Sequence, residues 1–124
     1  RHTLNLVADG TLAQTSWGRL RASADYTFTS SHYLYPYQLL TVNQAQATAA
    51  NTQVRSVGLV NLRMALADIE MGSFGTGEVA LWVRNATNKE YIANKIDFGP
   101  SFGNLTQGYY IDPRTVGVSL TARF

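Results

Sequence analysis

Aromatic side chains are concentrated in two long segments that show no regular hydrophobic pattern. Tyr and Phe rings present broad apolar faces, and the Tyr hydroxyl adds a polar group, so such rings make good contacts to a sugar or an aromatic chelate. They are candidate ligand contacts, although the pattern favours the alternative role, which is packing of the segments against each other or a position at a membrane surface. The residues are Tyr33, Tyr35 and Tyr37 in the first segment, and Phe98, Phe102, Tyr109 and Tyr110 in the second.

No arrangement of residues indicates catalysis, a metal or a cofactor. His2 and His32 have no partners at the spacing of metal ligands, and the chain contains no Cys. The acidic residues show no spacing typical of a general acid and base. The stretch "GSFGTG" at residues 72–77 lacks the Lys-Ser/Thr pair of a phosphate-binding loop, so it predicts a tight turn. We expect no enzymatic activity and no cofactor.

The composition favours strands that are polar on one side without being strongly charged. Of the 124 residues, 45% are hydrophobic and 15% are charged, whereas about 25% charged residues is usual in soluble proteins. Thr, Ser, Asn, Gln and Gly replace the missing charge. The net charge of +2, with no run of Lys or Arg, gives no indication of a nucleic-acid partner.

Five segments alternate between apolar and polar residues, as expected for β-strands with one apolar face. In the last of them the even-numbered residues from Val116 to Phe124 are apolar, and the residues between them are Thr, Gly, Ser and Arg. Arg21, Arg63, Arg84 and Arg123 all fall on polar faces. The predicted strands lie near residues 2–9, 17–30, 55–68, 77–91 and 113–124.

Short and long connections alternate along the chain, so antiparallel up-and-down strands would place both short turns at one end. Outer-membrane barrels have this layout, with short periplasmic turns and long extracellular loops. Crossing their apolar band with tilted strands requires roughly ten residues per strand. We therefore predict an all-β fold of about five antiparallel strands that forms part of a large transmembrane β-barrel. Because the alternation is already under way at Arg1, we expect a C-terminal piece of a larger protein.

Two stretches resemble the C-terminal end of TonB-dependent outer-membrane receptors. "LWVRNATNKEY" at residues 81–91 matches the family's Asn-(Leu/Ala)-(Thr/Phe)-(Asp/Asn)-Lys-x-Tyr stretch, with Asn88 where Asp is usual. "DPRTVGVSLTARF" at residues 112–124 matches the Pro-Arg-Thr triplet and the last strand with its terminal Phe. "GLVNLRMAL" at residues 58–66 and "LRASADYTFTS" at residues 20–30 resemble the preceding strands.

This resemblance implies a barrel of about 22 strands whose lumen holds a plug domain. Such receptors import a siderophore, a vitamin chelate, an oligosaccharide or a similar nutrient with energy supplied by TonB. The implied partners are outer-membrane lipid, the plug domain and remaining barrel of the same protein, TonB through an N-terminal region that this chain lacks, and the barrel assembly machinery. The implied location is the outer membrane of a Gram-negative bacterium. Phe124 resembles the signal that the assembly machinery reads.

Two other interpretations remain open at this level. One is a soluble all-β ligand-binding module, either a sandwich or a lipocalin-like barrel; the other is a small complete adhesin or porin-type barrel, which the strand count disfavours. A soluble module would bury Leu62, Val118 and Leu120 in its own core, whereas a large barrel would turn them toward acyl chains. On the polar faces, the arginines and Asp25 have two possible roles, pairing with the plug or pairing with one another.

Overall fold

The computed structural model describes residues 1–35 and 52–124, so that Tyr37 lies outside the described residues. The chain divides into two compact units. The first, here called the sheet unit, comprises Leu4–Thr27, Gly58–Lys89 and Pro113–Phe124. The second, here called the ribbon unit, comprises Arg1–Thr3, the described part of Phe28–Val57, and Glu90–Asp112.

The described residues are predominantly β-structure, as the sequence predicts. The strands are β1 (Thr3–Thr15), β2 (Gly18–Thr29), β3 (His32–Tyr33), β4 (Gln53–Val54), β5 (Val57–Glu70), β6 (Thr76–Arg84), β7 (Ile92–Asp97), β8 (Thr106–Tyr110) and β9 (Thr115–Arg123). Five of them form one sheet in the order β1-β2-β5-β6-β9, which leaves β1 and β9 as its edge strands. Pairing is antiparallel between β5 and β6 and between β6 and β9. All five predicted strands are therefore present, with adjusted ends.

The largest differences in strand length occur in β1 and β6. β1 continues to Thr15, beyond the predicted end at residue 9, because the turn that follows needs only Ser16 and Trp17. Within this turn the Thr15 hydroxyl donates to the Gly18 carbonyl (2.9 Å) and accepts from the Trp17 amide (3.3 Å). β6 ends at Arg84, because the next residue, Asn85, adopts a left-handed conformation that turns the chain away from the sheet.

The second short turn, Met71 to Gly75, lies at the sheet end where the chain terminates. A short 3-10 helix, Gly72–Phe74, forms this turn, and the Met71 amide donates to the Gly75 carbonyl (3.0 Å). Gly75 has a φ of 92°, and a Cβ there would collide with the Arg123 carbonyl oxygen. The stretch "GSFGTG" is thus a tight turn, as predicted, and only glycine fits at position 75.

A β-bulge interrupts β5 between Leu66 and Ile69. Unbroken alternation would place Asp68 on the same side as Leu66, on the apolar face. The bulge, in which Asp68 takes a φ of 56°, resets the register so that Ile69 pairs with Gly77. Asp68 is consequently free to reach Arg19 on the polar face.

The ribbon unit contains two small antiparallel pairs, β3 with β4 and β7 with β8. The Tyr35 hydroxyl donates to the Lys95 carbonyl (2.9 Å), and the Lys95 ammonium group donates to the Gln53 carbonyl (3.0 Å). Val54 and Thr52 are buried in this unit. The segments that the sequence indicates as long loops thus have secondary structure of their own in their described parts.

Candidate functional site

The apolar face of the sheet forms continuous rows of large side chains across β5, β6 and β9. Leu120 is 77% exposed and Val118 is 60% exposed, and their row partners are exposed or half-buried. The charged residues of these strands lie on the other face. The rows, read from the strand pairing, are Leu62–Val83–Val116, Met64–Leu81–Val118 and Leu66–Val79–Leu120. The described residues therefore provide no core that covers this face.

A shallow hollow of about 620 Å³ lies on the same side of the sheet, toward β1 and β2. Small residues form part of its lining, among them Gly10, Ala22 and Ala24, and Leu12 and Met64 stand beside them. The lining offers almost no hydrogen-bonding groups. A hollow of this kind suits hydrocarbon, since a polar ligand would lose its hydrogen bonds there.

On the polar face the apolar residues are small and buried, whereas those of the apolar face are large and exposed. Arg63 forms an ion pair with Glu78, and by register this pair spans the directly opposed residues Ala65 and Ala80. Each of these alanines is only 1% exposed. In the sheet unit, the best-buried apolar residues thus lie on the charged side, while the large apolar residues lie open on the other side.

Trp82 belongs to the polar face, and its contacts are made to neighbouring strand residues. A Cβ at Gly117 would collide with the indole ring, so the ring lies directly against the Gly117 backbone. The indole N–H donates to the Ser119 hydroxyl (3.1 Å), and the Arg84 guanidinium lies 5.3 Å from the ring centroid. These contacts occupy the ring, so we infer a structural role for Trp82 rather than stacking on a ligand.

A chain of amide hydrogen bonds crosses the polar face toward the end of β6. The Asn61 side-chain amide donates to Asp25 (2.7 Å), and its oxygen accepts from the Asn85 backbone amide (2.9 Å). The Asn85 side chain then bonds both the carbonyl (2.9 Å) and the amide (2.8 Å) of Lys89. Asn85 is 5% exposed with a φ of 48°, a conformation that Asn tolerates better than most residues.

Asn88 completes the turn that follows β6. It also has a positive φ, of 50°, and its side-chain oxygen accepts from the Arg114 amide (3.1 Å), just before β9 begins. The "NATNK" stretch, which carries much of the resemblance, thus ends one strand and holds the start of the last strand. An Asp at position 88, the usual residue in that family, would offer the same acceptor.

Three exposed aromatic rings lie at the short-turn end of the sheet. They are Trp17 in the first turn, Phe74 in the second, and the terminal Phe124, which is 99% exposed. At the other end, Tyr26 covers Gly58. Among these rings, the sequence pattern identified Phe124; the available signal for Trp17 and Phe74 was their position next to the short turns.

Those candidate ligand-contacting aromatics that the structure describes lie in the ribbon unit. Phe98 and Phe102 meet edge to face with their ring centroids 6.1 Å apart. Tyr109 and Tyr110 belong to β8 and are exposed. Tyr33, in β3, is also exposed. Tyr35 makes its hydroxyl contact with the β7 backbone, and Tyr37 is outside the described residues. The structure brings Phe98 and Phe102 together, and it places Tyr33 in the β3–β4 pair and both Tyr109 and Tyr110 in the β7–β8 pair.

Among the described residues, no group of three or more His, Asp and Glu side chains is placed to hold a metal ion. His32 makes a hydrogen bond with the Ser30 carbonyl (3.0 Å), and the backbone amide of His2 donates to the Ser30 hydroxyl (2.8 Å). In residues 1–35 and 52–124 there is also no helix with the length and hydrophobicity needed to cross a bilayer.

Comparisons with family models, curated proteins and solved structures gave no match for this chain. The assignment of function therefore depends on the residues and geometry described above.

Proposed function

We propose that this chain is the C-terminal barrel segment of a TonB-dependent outer-membrane transporter that imports a nutrient such as a siderophore, a vitamin chelate or an oligosaccharide. The observation that carries the proposal is the uncovered apolar face of β5, β6 and β9. Burying one Val, Leu or Met side chain stabilises a fold by about 1.5–3 kcal/mol, and a soluble protein gains this by packing a second layer on the sheet. Contact with acyl chains provides the same burial without a second layer.

The placement of charge supports the same assignment. A Lys or Arg on a lipid-contacting barrel face near the midplane costs about 2–4 kcal/mol. Arg63 and Glu78 lie on the opposite face, and the bulge at Asp68 takes this carboxylate off the apolar face, where unbroken alternation would have placed it. A sheet with water on both faces would not need its charged residues and its large apolar residues on separate faces.

The free edges of the sheet indicate how it is completed. Unpaired strand edges are not tolerated in hydrocarbon, because their amide and carbonyl groups would lack hydrogen-bond partners. β1 and β9 are edge strands, so in a membrane both must pair with further strands of the same barrel. The exposed Trp17, Phe74 and Phe124 suit the aromatic girdle at the periplasmic surface, where amphipathic and aromatic rings are enriched.

Membrane extraction of the full-length protein in its native host tests the location. We expect the protein to stay with the outer-membrane fraction after washing with urea and carbonate, and to migrate differently on a gel before and after boiling in detergent. A protein that is released by the wash and is monodisperse without detergent would refute the proposal, and would favour the soluble ligand-binding module instead.

Transport is tested separately by growth. A strain that lacks the gene, and a strain that lacks TonB, should fail to grow on the same member of a panel of iron chelates, cobalamins and oligosaccharides supplied as the limiting nutrient. Restoring the gene should rescue growth only where TonB is present. Rescue without TonB would contradict energy coupling while leaving the membrane location intact.

A further inference from the structure

The two long connections of the chain meet in the ribbon unit. β3 and β4 belong to the connection between β2 and β5, and we call this pair the first ribbon. β7 and β8 belong to the connection between β6 and β9, and we call this pair the second ribbon. Within the unit β4 lies against β7. Segments that are distant in the sequence are therefore joined in one compact unit.

The first ribbon is too short to be stable by itself. Its strands align through two residue pairs, and the Leu34 amide adds one backbone hydrogen bond to the Thr52 carbonyl (3.1 Å). An isolated two-stranded hairpin is at best marginally stable in water. Nevertheless Val54 is only 2% exposed and Thr52 only 1%. Other parts of the chain therefore pack against the first ribbon and supply its stability.

Lys95 of β7 makes two contacts that join the ribbons, one from each end of the residue. Its backbone carbonyl accepts from the Tyr35 hydroxyl (2.9 Å), and its ammonium group donates to the Gln53 carbonyl (3.0 Å). Tyr35 follows β3, and Gln53 belongs to β4. One residue of the second ribbon is thus bonded to both sides of the first connection. Among the described residues, Lys95 takes part in no ion pair within 4.0 Å.

These two contacts link the stability of one ribbon to that of the other. A hydrogen bond from a charged donor contributes more than one between neutral groups, and the half-buried positions of Lys95 and Tyr35 limit its screening by solvent. Opening of the first ribbon removes both bonds from β7, and opening of β7 removes both bonds from the first ribbon. Segments that lose their stabilising contacts in the same step open as one cooperative unit.

We propose that the two long connections share a single opening equilibrium and that Lys95 is the residue that couples them. Both ribbons carry exposed aromatic side chains, Tyr33 on the first and Tyr109 and Tyr110 on the second. A ligand that contacts either ribbon would then stabilise both, because binding to the closed form shifts the shared equilibrium. The inference uses only contacts inside the ribbon unit, so it does not depend on the membrane assignment.

Hydrogen exchange of the full-length protein, followed by mass spectrometry, tests the coupling. The Leu34 amide reports on the first ribbon, and the Phe98 amide, which donates to the Leu105 carbonyl (3.0 Å), reports on the second. Each variant is read in the connection that does not carry the substitution. Lys95→Met should speed exchange at Leu34, and Tyr35→Phe should speed exchange at Phe98. The expected factor is about three- to tenfold, which corresponds to the loss of one hydrogen bond.

Matched variants separate this coupling from a general loss of stability. Lys89→Met removes an ammonium group in the sheet unit, and Tyr109→Phe removes an exposed hydroxyl in the second ribbon. Each should change exchange at Leu34 by less than about twofold. Lys95→Arg keeps a charged donor and should exchange more slowly at Leu34 than Lys95→Met. Exchange in β6 and β9 should keep the wild-type rate in every variant.

Three outcomes would overturn the inference. The first is faster exchange that stays within the connection carrying the substitution. The second is an equal effect of Lys95→Met and Lys89→Met at Leu34. The third is an equal acceleration in β6 and β9, which would show that the ribbons and the sheet open together. Membrane extraction reports on the proposed function separately, so that failure of one idea is not mistaken for failure of the other.

Discussion

Replacing Val118 by Arg places a charge at the centre of the apolar face. Val118 is 60% exposed and stands in the middle row with Met64 and Leu81. If this face contacts acyl chains, the substitution should cost about 2–4 kcal/mol. At about 1.36 kcal/mol per tenfold change, the folding equilibrium falls roughly 30- to 900-fold. If the face contacts water, an Arg at such an exposed position should change stability by no more than about 0.5 kcal/mol.

Urea unfolding of the full-length protein in phosphatidylcholine vesicles measures this difference. Tryptophan fluorescence follows the transition, and heat-modifiable gel migration reports the folded fraction independently. The matched control is Ser119→Arg, the next residue of β9 on the opposite face. Its expected loss is about 1 kcal/mol or less, because it removes the single hydrogen bond from the Trp82 indole.

Two results would refute the reasoning about the face. One is a Val118→Arg variant whose free energy of unfolding lies within about 0.5 kcal/mol of the wild type. The other is an equal loss in Val118→Arg and Ser119→Arg, which would show that β9 tolerates Arg poorly on either side for reasons unrelated to lipid.

Three further substitutions test the contacts around the sheet. Gly117→Val must displace the Trp82 ring, so we expect a loss of about 1–3 kcal/mol and a shifted tryptophan emission; an unchanged spectrum would contradict the packing. Asn85→Ala removes the two bonds to Lys89 and strains the positive φ, with an expected loss of about 2–4 kcal/mol in urea unfolding. Asn85→Gly relieves the backbone strain at the positive φ and should lose less stability than Asn85→Ala. Equal losses in the two variants would contradict a contribution from strain. Deleting Phe124 should leave the stability of refolded protein within about 0.5 kcal/mol, since the ring is exposed, yet reduce assembly in the outer membrane severalfold; normal membrane levels would exclude an assembly signal.

Much of the sheet could be predicted from sequence because strand patterning is local. Alternation with a period of two is a property of consecutive residues, and it identified five strands and the face on which Val118 and Leu120 lie. The alternation of short and long connections likewise indicated that both short turns lie at one end of the sheet, and the close approach of Gly75 to the Arg123 carbonyl places the end of β9 beside the second of them.

The irregular features could not be predicted in the same way. The bulge at Asp68 depends on which β6 residues β5 pairs with, although an acidic residue out of phase in "LADIE" was an available signal. The β7–β8 pair was predicted as loop, because Gly and Pro near Phe98 suggest irregular chain and the hairpin forms through backbone pairing with residues near Tyr109.

The amino-acid sequence alone determined the strand faces, the absence of charge from the apolar side of β9, and the residue types that carry the resemblance to a receptor family. The tertiary structure decided which strands are neighbours and at which register, and thereby which side chains meet. The ion pair over Ala65 and Ala80 and the Trp82 contact with Gly117 both follow from that register. Side chains on different strands interact only once hydrogen-bonded pairing aligns them, and this alignment depends on residues far apart in the chain.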